Sequence, residues 1–230
     1  DGFDVWNNCA YTAPTGAGLW IPTPPAFAAP LQPCWGELRP FVLLYAAECS
    51  VIPPPAYSED TGSAFYAEAL EVYDTVNDLT QEQLDIAQFW ADNPGQTGTP
   101  PGHWVSILSQ VATQQGLSLD VAAEGLARVG IAVADAFISC WDMKYYYNLV
   151  RPITYIQSAS GLNDPTWLTG HKELRDSRFA LHLYIGNVVH NEMRHEAALV
   201  AMDQTAILPN SHPCRLVPDH PGSDHRMPSL

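Results

Sequence analysis

Apolar residues recur at three- and four-residue spacing over four segments of the chain, which is the pattern of amphipathic helices. The segments are residues 61–78, 80–92, 102–115 and 119–150. The second begins with Thr80-Gln81-Glu82-Gln83, a capping box in which the Thr hydroxyl and Gln amide satisfy free backbone amides. Between the second and third segments, residues 93–101 are rich in Pro and Gly, which predicts a loop. The pattern therefore predicts an all-α fold, a helical bundle.

The fourth segment is the longest and the most apolar. Ser118 is a plausible N-cap, and no Pro interrupts residues 119–150, which predicts a helix of about 45 Å at ~1.5 Å per residue. Its apolar residues lie on more than one side, as expected for the central member of a bundle. Pro152 disfavours helical geometry at the residue before it, so the helix should end at Arg151.

Residues 1–57 have a different composition, with many Pro and aromatic residues. Pro removes amide donors and fixes φ, so this segment is expected to be an extended arm. Large side chains such as Trp6, Trp20, Trp35 and Phe41 would anchor it on the helices. A Pro-rich ligand for a small recognition domain is the alternative, and the aromatic density favours packing.

The charge of the chain restricts its partners. A formal net charge of −15 opposes binding to nucleic acid or to an anionic membrane surface, but it does not indicate a substrate. No apolar run is long enough to span a bilayer. The start, Asp1-Gly2-Phe3-Asp4, has neither an initiator Met nor a signal region, which predicts a processed chain or a fragment. Oligomeric state and localisation are not indicated by these features.

Two cations near the end of the long helical segment are the candidate chemistry. Residues 1–160 contain only four Lys or Arg, and two of them, Lys144 and Arg151, are seven residues apart. On a continuous helix they would lie within ~20° of one face and ~10.5 Å apart along it. An Arg fork and a Lys point charge together suit a tetrahedral oxyanion. The alternative is a pair of solvated cations beside Asp135 and Asp142.

The residues around this pair resemble a known family. Lys144, six residues, then Arg151-Pro152 matches the first motif of the superfamily that joins vanadium-dependent haloperoxidases with type-2 phosphatidic acid phosphatases and bacterial acid phosphatases. The flanking residues resemble the bacterial haloperoxidase-like branch, over roughly residues 15–167. The resembling strings are Trp20-Ile21-Pro22-Thr23-Pro24-Pro25, Gly36-Glu37-Leu38-Arg39-Pro40-Phe41, Phe89-Trp90-Ala91-Asp92, Pro100-Pro101-Gly102-His103-Trp104 and Ala134-Asp135-Ala136-Phe137.

The resemblance implies a helical bundle in which Lys144 and Arg151 bind vanadate or phosphate. Vanadate would be the cofactor of a haloperoxidase that acts on halide and peroxide, whereas a phosphatase would need no cofactor and would hydrolyse a phosphate ester. The flanking residues favour the haloperoxidase. The family also favours a periplasmic or secreted location. A catalytically inactive helical anion-binding or scaffold protein is the remaining alternative.

The later motifs of the family match poorly. Thr169-Gly170-His171 resembles a Ser-Gly-His motif, which makes His171 a candidate acid/base residue on likeness alone. Ser177-Arg178 follows too closely, and His182 is four residues beyond Arg178, where the family has six. These departures predict a site that is incomplete in this chain.

The composition changes near Trp167, where the resemblance also ends. Residues 1–160 contain one His and residues 161–230 contain seven. We therefore divide the chain into a helical domain, 1–167, and an irregular His-rich tail, 168–230. The coincidence suggests a shifted reading frame or an incorrect join at that point, which translation of the other two frames would test.

Cysteine and histidine spacing gives no metal site. The five cysteines form no CxxC pair, and His190 and His195 are five residues apart, which places their rings on different helix faces. Most of the cysteines are expected to be buried thiols. A disulfide between Cys34 and either Cys9 or Cys49 is the alternative if the protein is exported.

Overall fold

The computed structural model describes residues 9–24, 26–49, 53–92 and 95–167. It contains five α-helices in these ranges, and the described residues form no sheet, so the predicted all-α fold is confirmed. No described helix is long and apolar enough to cross a bilayer. The helices are α1 (Ala64–Asn77), α2 (Gln81–Ala91), α3 (Thr99–Gln115), α4 (Leu119–Tyr147) and α5 (Pro152–Gln157).

Side-chain caps begin the first two helices. The Ser63 hydroxyl accepts a hydrogen bond from the Tyr66 amide at 3.1 Å. Thr80 and Gln83 form the predicted capping box, with the Thr80 amide donating to Gln83 Oε1 at 2.9 Å and the Gln83 amide donating to Thr80 Oγ1 at 3.2 Å. These bonds satisfy amides that have no partner within the helix.

Helix α3 begins earlier than predicted. The sequence pattern predicted a loop through Pro101, but the helix starts at Thr99 and contains Pro in its first turn. Proline is tolerated there because the amides of the first turn have no helical acceptor in any case. The predicted end is confirmed, since Gly116 adopts a left-handed φ of 61° directly after Gln115.

Helix α4 ends earlier than predicted. Its last residue is Tyr147, because Asn148 adopts a left-handed conformation with φ 43° and ψ 40°. The Asn148 amide donates to the Lys144 carbonyl at 3.1 Å and its side-chain amide donates to the Tyr145 carbonyl, which together close the last turn. Arg151 is therefore not part of α4. It is the extended N-cap of α5, with φ −76° and ψ 148°.

The Pro-rich arm lies along α4. Two 3₁₀ turns of the arm, Trp35–Glu37 and Ala46–Cys49, contact this helix. Between them, the backbone amides of Phe41, Val42 and Leu43 donate to the carboxylate of Asp135 at 2.6, 2.8 and 3.1 Å. Asp135 is buried, so these bonds supply the partners that a buried carboxylate needs. The suggestion that Asp135 is an exposed partner of Lys144 or Arg151 is therefore wrong.

The apolar core is formed mainly by α1, α5 and the segment after α5. Phe65 and Ala69 of α1 pack with Val150 and Tyr155. A second cluster joins Ile153, Ile156 and Trp167 to the following turn of α1. The buried residues of α4 lie in its C-terminal half, whereas Leu119 and Leu126 near its start are exposed, so the expected burial on several sides is not seen along the whole helix.

Candidate anion-binding site

Lys144 lies in the last turn of α4 among aromatic rings. Its Nζ is 4.6 Å from the centroid of the Trp141 ring and 5.5 Å from that of Tyr145. A cation over a ring face is attracted by the negative charge of the π system. The position also places a positive charge at the negative end of the helix dipole. Lys144 is half-buried, so its ammonium is only partly hydrated.

Arg151 follows α4 by one short turn and is held by the arm. Its Nη1 donates to the Thr23 hydroxyl at 2.5 Å, and its Cζ is 5.7 Å from the centroid of the Trp20 ring. Thr23 is buried, whereas Arg151 is half-buried. The guanidinium is planar and has five N–H donors, and the bond to Thr23 engages one edge of it.

A backbone bridge brings the arm to this point. The Trp20 amide donates to the Asn148 carbonyl at 2.7 Å, and the Val150 amide donates to the Gly18 carbonyl at 2.8 Å. These bonds pair Leu19 with Leu149 in an antiparallel bridge. Gly18 has a φ of +77°, and a Cβ there would be 2.4 Å from the Tyr57 ring, so only glycine fits.

Tyr145 follows Lys144 in the last turn of α4. Its hydroxyl donates to the Leu31 carbonyl of the arm at 2.7 Å, and its ring meets Tyr11 edge to face at 5.1 Å. Burial, together with the nearby Tyr11, raises the pKa of Tyr145 to about 12, and the positive charge of Arg151 opposes this rise. Lys144 therefore lies over the Tyr145 ring, and the charge of Arg151 acts on the Tyr145 hydroxyl. The turn at Asn148 produces this arrangement, and the predicted alignment of the two residues on one helix is wrong.

Cys140 lies one helical turn before Lys144 and is a free thiol. Burial raises its pKa to about 11, and the charge of Lys144 lowers it only in part. The thiolate is the reactive form of cysteine, so Cys140 is not a nucleophile at neutral pH. Its role here is to pack beside the cation.

Two cysteines of the arm, Cys9 and Cys34, form a disulfide. This is one of the two pairings that the spacing allowed, and the expectation of plain thiols is wrong for this pair. The arm segment between them includes four residues whose side chains or carbonyls contact the end of α4 or Arg151. These residues are Tyr11, Trp20, Thr23 and Leu31.

The sequence motif indicated the cations but not the arm residues that meet them. Trp20 was predicted to anchor the arm, and its amphipathic aromatic ring was the available signal. Thr23 was identified only as part of a resembling string, and nothing in a lone Thr among prolines indicates a hydrogen bond to a residue 128 positions away. His171, Arg178 and His182 lie outside the described residues.

The chemistry of this region fits an oxyanion better than a metal cation. Within residues 9–167 that the structure describes, no three His, Cys, Asp or Glu side chains come together as metal ligands. The positive side chains Lys144 and Arg151 are instead donors, and aromatic rings reduce their hydration. Donors in a partly dry site bind an anion more strongly than in water. Vanadate and phosphate both match this donor set.

Comparison with known proteins identifies a matching family model and a related crystal structure. A family model described as the VCPO second helical-bundle domain matches residues 125–178, which include both cations. The crystal structure of a bacterial vanadium-dependent iodoperoxidase is 39% identical, with a TM-score of 0.65, over 73% of this chain. The match spans 41% of the iodoperoxidase chain, less than half its length. No match was found among curated proteins.

Proposed function

Because this chain belongs to the vanadium haloperoxidase-like superfamily, we propose that Lys144 and Arg151 bind vanadate and that the protein oxidises halide with hydrogen peroxide. The observation that carries the proposal is that Lys144, over the Tyr145 ring in the last turn of α4, and Arg151, held by Trp20 and Thr23, both lie within the matched residues 125–178. The related crystal structure is that of an iodoperoxidase, which makes iodide the first halide to test.

The two cations have different roles in this proposal. The Arg151 guanidinium is planar and donates two parallel hydrogen bonds to neighbouring oxygens of a tetrahedral anion. The Lys144 ammonium supplies a compact positive charge with three donors. Bound vanadate would supply the centre at which peroxide is activated for halide oxidation. The chain's own contribution is to bind and orient that anion.

The rings around the cations strengthen this binding. Trp141 and Tyr145 flank Lys144, and Trp20 covers the guanidinium of Arg151. They exclude water from part of each charged group, and electrostatic attraction is stronger where the local dielectric constant is lower. The site therefore attracts an anion although the whole chain has a net charge of −15.

Titration with orthovanadate tests the binding. Arg151→Ala removes two charge-assisted hydrogen bonds, so we expect the Kd, measured by calorimetry, to rise about 10- to 100-fold. Arg128→Ala is the matched control, since Arg128 lies on α4 in an exposed pair with Glu124 and should leave the Kd unchanged. An unchanged Kd in Arg151→Ala would contradict the site assignment.

Activity assays on the same protein separate the reactions that this anion site permits. Iodide or bromide oxidation with vanadate and peroxide, lost in Arg151→Ala, supports the haloperoxidase. Hydrolysis of p-nitrophenyl phosphate without halide oxidation would indicate a phosphatase instead. Tight vanadate binding without turnover in either assay would indicate an inactive anion-binding relative.

A further inference from the structure

We propose that Trp20 and Thr23 are positioning residues that hold the Arg151 guanidinium in its anion-binding orientation. They act through Arg151 and need not touch the anion themselves. The inference rests on the proposed function for its ligand, but the orientation of the guanidinium is measurable without any ligand. It assigns to the Pro-rich arm a part in the site that the cation motif does not contain.

Thr23 fixes one edge of the guanidinium. Its buried hydroxyl oxygen accepts from Nη1 at 2.5 Å. An arginine side chain has several rotatable bonds, and a single directional bond at its tip removes much of that freedom. Because the bond is made before an anion arrives, less ordering remains for the binding step. The guanidinium is a planar group with five N–H donors, and this bond engages one edge of it.

Trp20 fixes the plane of the same group. Its ring centroid is 5.7 Å from Cζ, within the range in which a guanidinium is attracted to an indole face. The backbone of Trp20 is itself bonded to Asn148, three residues before Arg151. The bridge therefore fixes the Trp20 backbone beside the end of α4, from where the ring reaches the guanidinium. One contact restrains the edge of the guanidinium and the other restrains its face.

Attachment of the arm to the helices does not by itself explain the contacts of Thr23 and Trp20 with Arg151. The arm is already held on α4 by the bridge at Leu19, by the bonds of Phe41, Val42 and Leu43 to Asp135, and by those of Leu31. The Thr23 bond adds a polar contact to a side chain that is charged and only half-buried. A buried hydroxyl aimed at such a group is what orientation of a functional arginine requires.

The test uses Thr23→Val, which keeps the shape and removes the acceptor, with Thr23→Ser as the conservative variant. In protein labelled with [¹⁵N]arginine, we expect resolved Arg151 guanidinium signals in the wild type, assigned by their loss in Arg151→Lys. Thr23→Val should abolish the slow exchange of these signals with water, and Thr23→Ser should preserve it. The Kd for orthovanadate should rise about tenfold in Thr23→Val and return toward the wild-type value in Thr23→Ser.

Trp20 is tested in the same way. Trp20→Leu should raise the orthovanadate Kd and broaden the Arg151 signals. Trp20→Phe should change both to a smaller extent, because a π face remains. Thermal unfolding identifies any variant that is not folded. In that case the other variant at the same position, Thr23→Ser or Trp20→Phe, tests the positioning role. Neither Trp20 nor Thr23 is expected to alter signals from Arg128.

The outcomes separate this inference from the proposed function. If Thr23→Val leaves both the Arg151 signals and the Kd unchanged, the positioning role is overturned. If the wild type does not bind orthovanadate but Thr23→Val still frees the guanidinium, the vanadate proposal fails and the positioning role stands. If both measurements change and Thr23→Ser reverses them, the positioning role is supported.

Discussion

Gly36 determines how closely the arm approaches the long helix. It is buried in the first 3₁₀ turn, and a Cβ there would lie 2.6 Å from both Cα and N of Asp142. Those atoms belong to helical backbone and cannot move aside as a flexible side chain would. Gly130, within α4, has no neighbouring atom within 4 Å of the same position. The two glycines therefore form a matched pair with opposite expected behaviour.

Gly36→Ala should lower the free energy of unfolding by about 1–3 kcal/mol, because the arm must shift to relieve the overlap. Gly130→Ala should raise it by roughly 0.5–1 kcal/mol, because alanine loses less backbone entropy in a helix. Urea unfolding followed by circular dichroism measures both. Equal effects of the two substitutions would mean that the arm is not seated on α4 as described.

At the same scale, the sequence identified Lys144 and Arg151 because their spacing forms a motif together with Pro152. It did not reveal Thr23, since an isolated hydroxyl carries no spacing signal. The alternative of solvated cations beside Asp135 also placed that carboxylate at the surface, whereas it is buried. The Asp135 carboxylate accepts hydrogen bonds from backbone amides of the arm. Almost every residue has such an amide, so the sequence does not show which ones will bind a carboxylate.

The arm behaves as one element because a disulfide closes it. Cys9 and Cys34 are separated by 25 residues, and the segment between them carries both contacts to Arg151. Closing such a loop restricts the unfolded chain more than the folded one. The same bond limits how far Trp20 and Thr23 can move from the end of α4.

Reduction of this disulfide should lower the free energy of unfolding by about 3–4 kcal/mol. It should also weaken orthovanadate binding, because the arm then samples positions away from Arg151. Thermal unfolding and calorimetry with and without dithiothreitol measure the two effects. The double variant Cys9→Ala/Cys34→Ala should reproduce them and show no further response to the reductant. A reduced protein with unchanged stability and Kd would contradict this account.

Helix existence was predicted well from the sequence, and helix ends less well. The apolar period and the Thr80 capping box indicated α1 to α4 correctly. The end of α4 was misplaced because Leu149 and Val150 continue the apolar pattern while Asn148 has already left the helix. Asn tolerates the left-handed conformation, but it often occurs within helices, so its presence alone is a weak stop signal.

At the scale of the molecule, the pKa shifts of the tyrosines and the thiol given below, all in the described residues, have one direction. Burial raises the pKa of Cys140 to about 11 and that of Tyr145 to about 12, and the pKa values of Tyr57, Tyr147 and Tyr155 are also raised. These groups bind protons more tightly in the folded than in the unfolded state. The stability they contribute is complete below their ordinary values and is lost as the pH rises through the folded ones.

The free energy of unfolding should therefore fall as the pH rises from about 9 to about 12. Cys140→Ala should reduce the fall between pH 9 and 11, because its thiol no longer ionises on unfolding, and leave the fall near pH 12. Urea unfolding at half-unit intervals from pH 7.5 upward measures both curves. A wild-type curve that is flat up to pH 11 would show that these groups are not buried in solution.

The bridge between Leu19 and Leu149 also constrains when the site can be assembled on the ribosome. Thr23 leaves the tunnel 128 residues before the arginine that it holds. At about 5–20 residues per second, translation separates the two by roughly 6–26 s. The Cys9–Cys34 ring needs only residues of the arm and can close during that interval. Trp20 and Thr23, in contrast, have no guanidinium to contact until Arg151 is made. The arm is thus synthesised first, and its contacts with Arg151 form late.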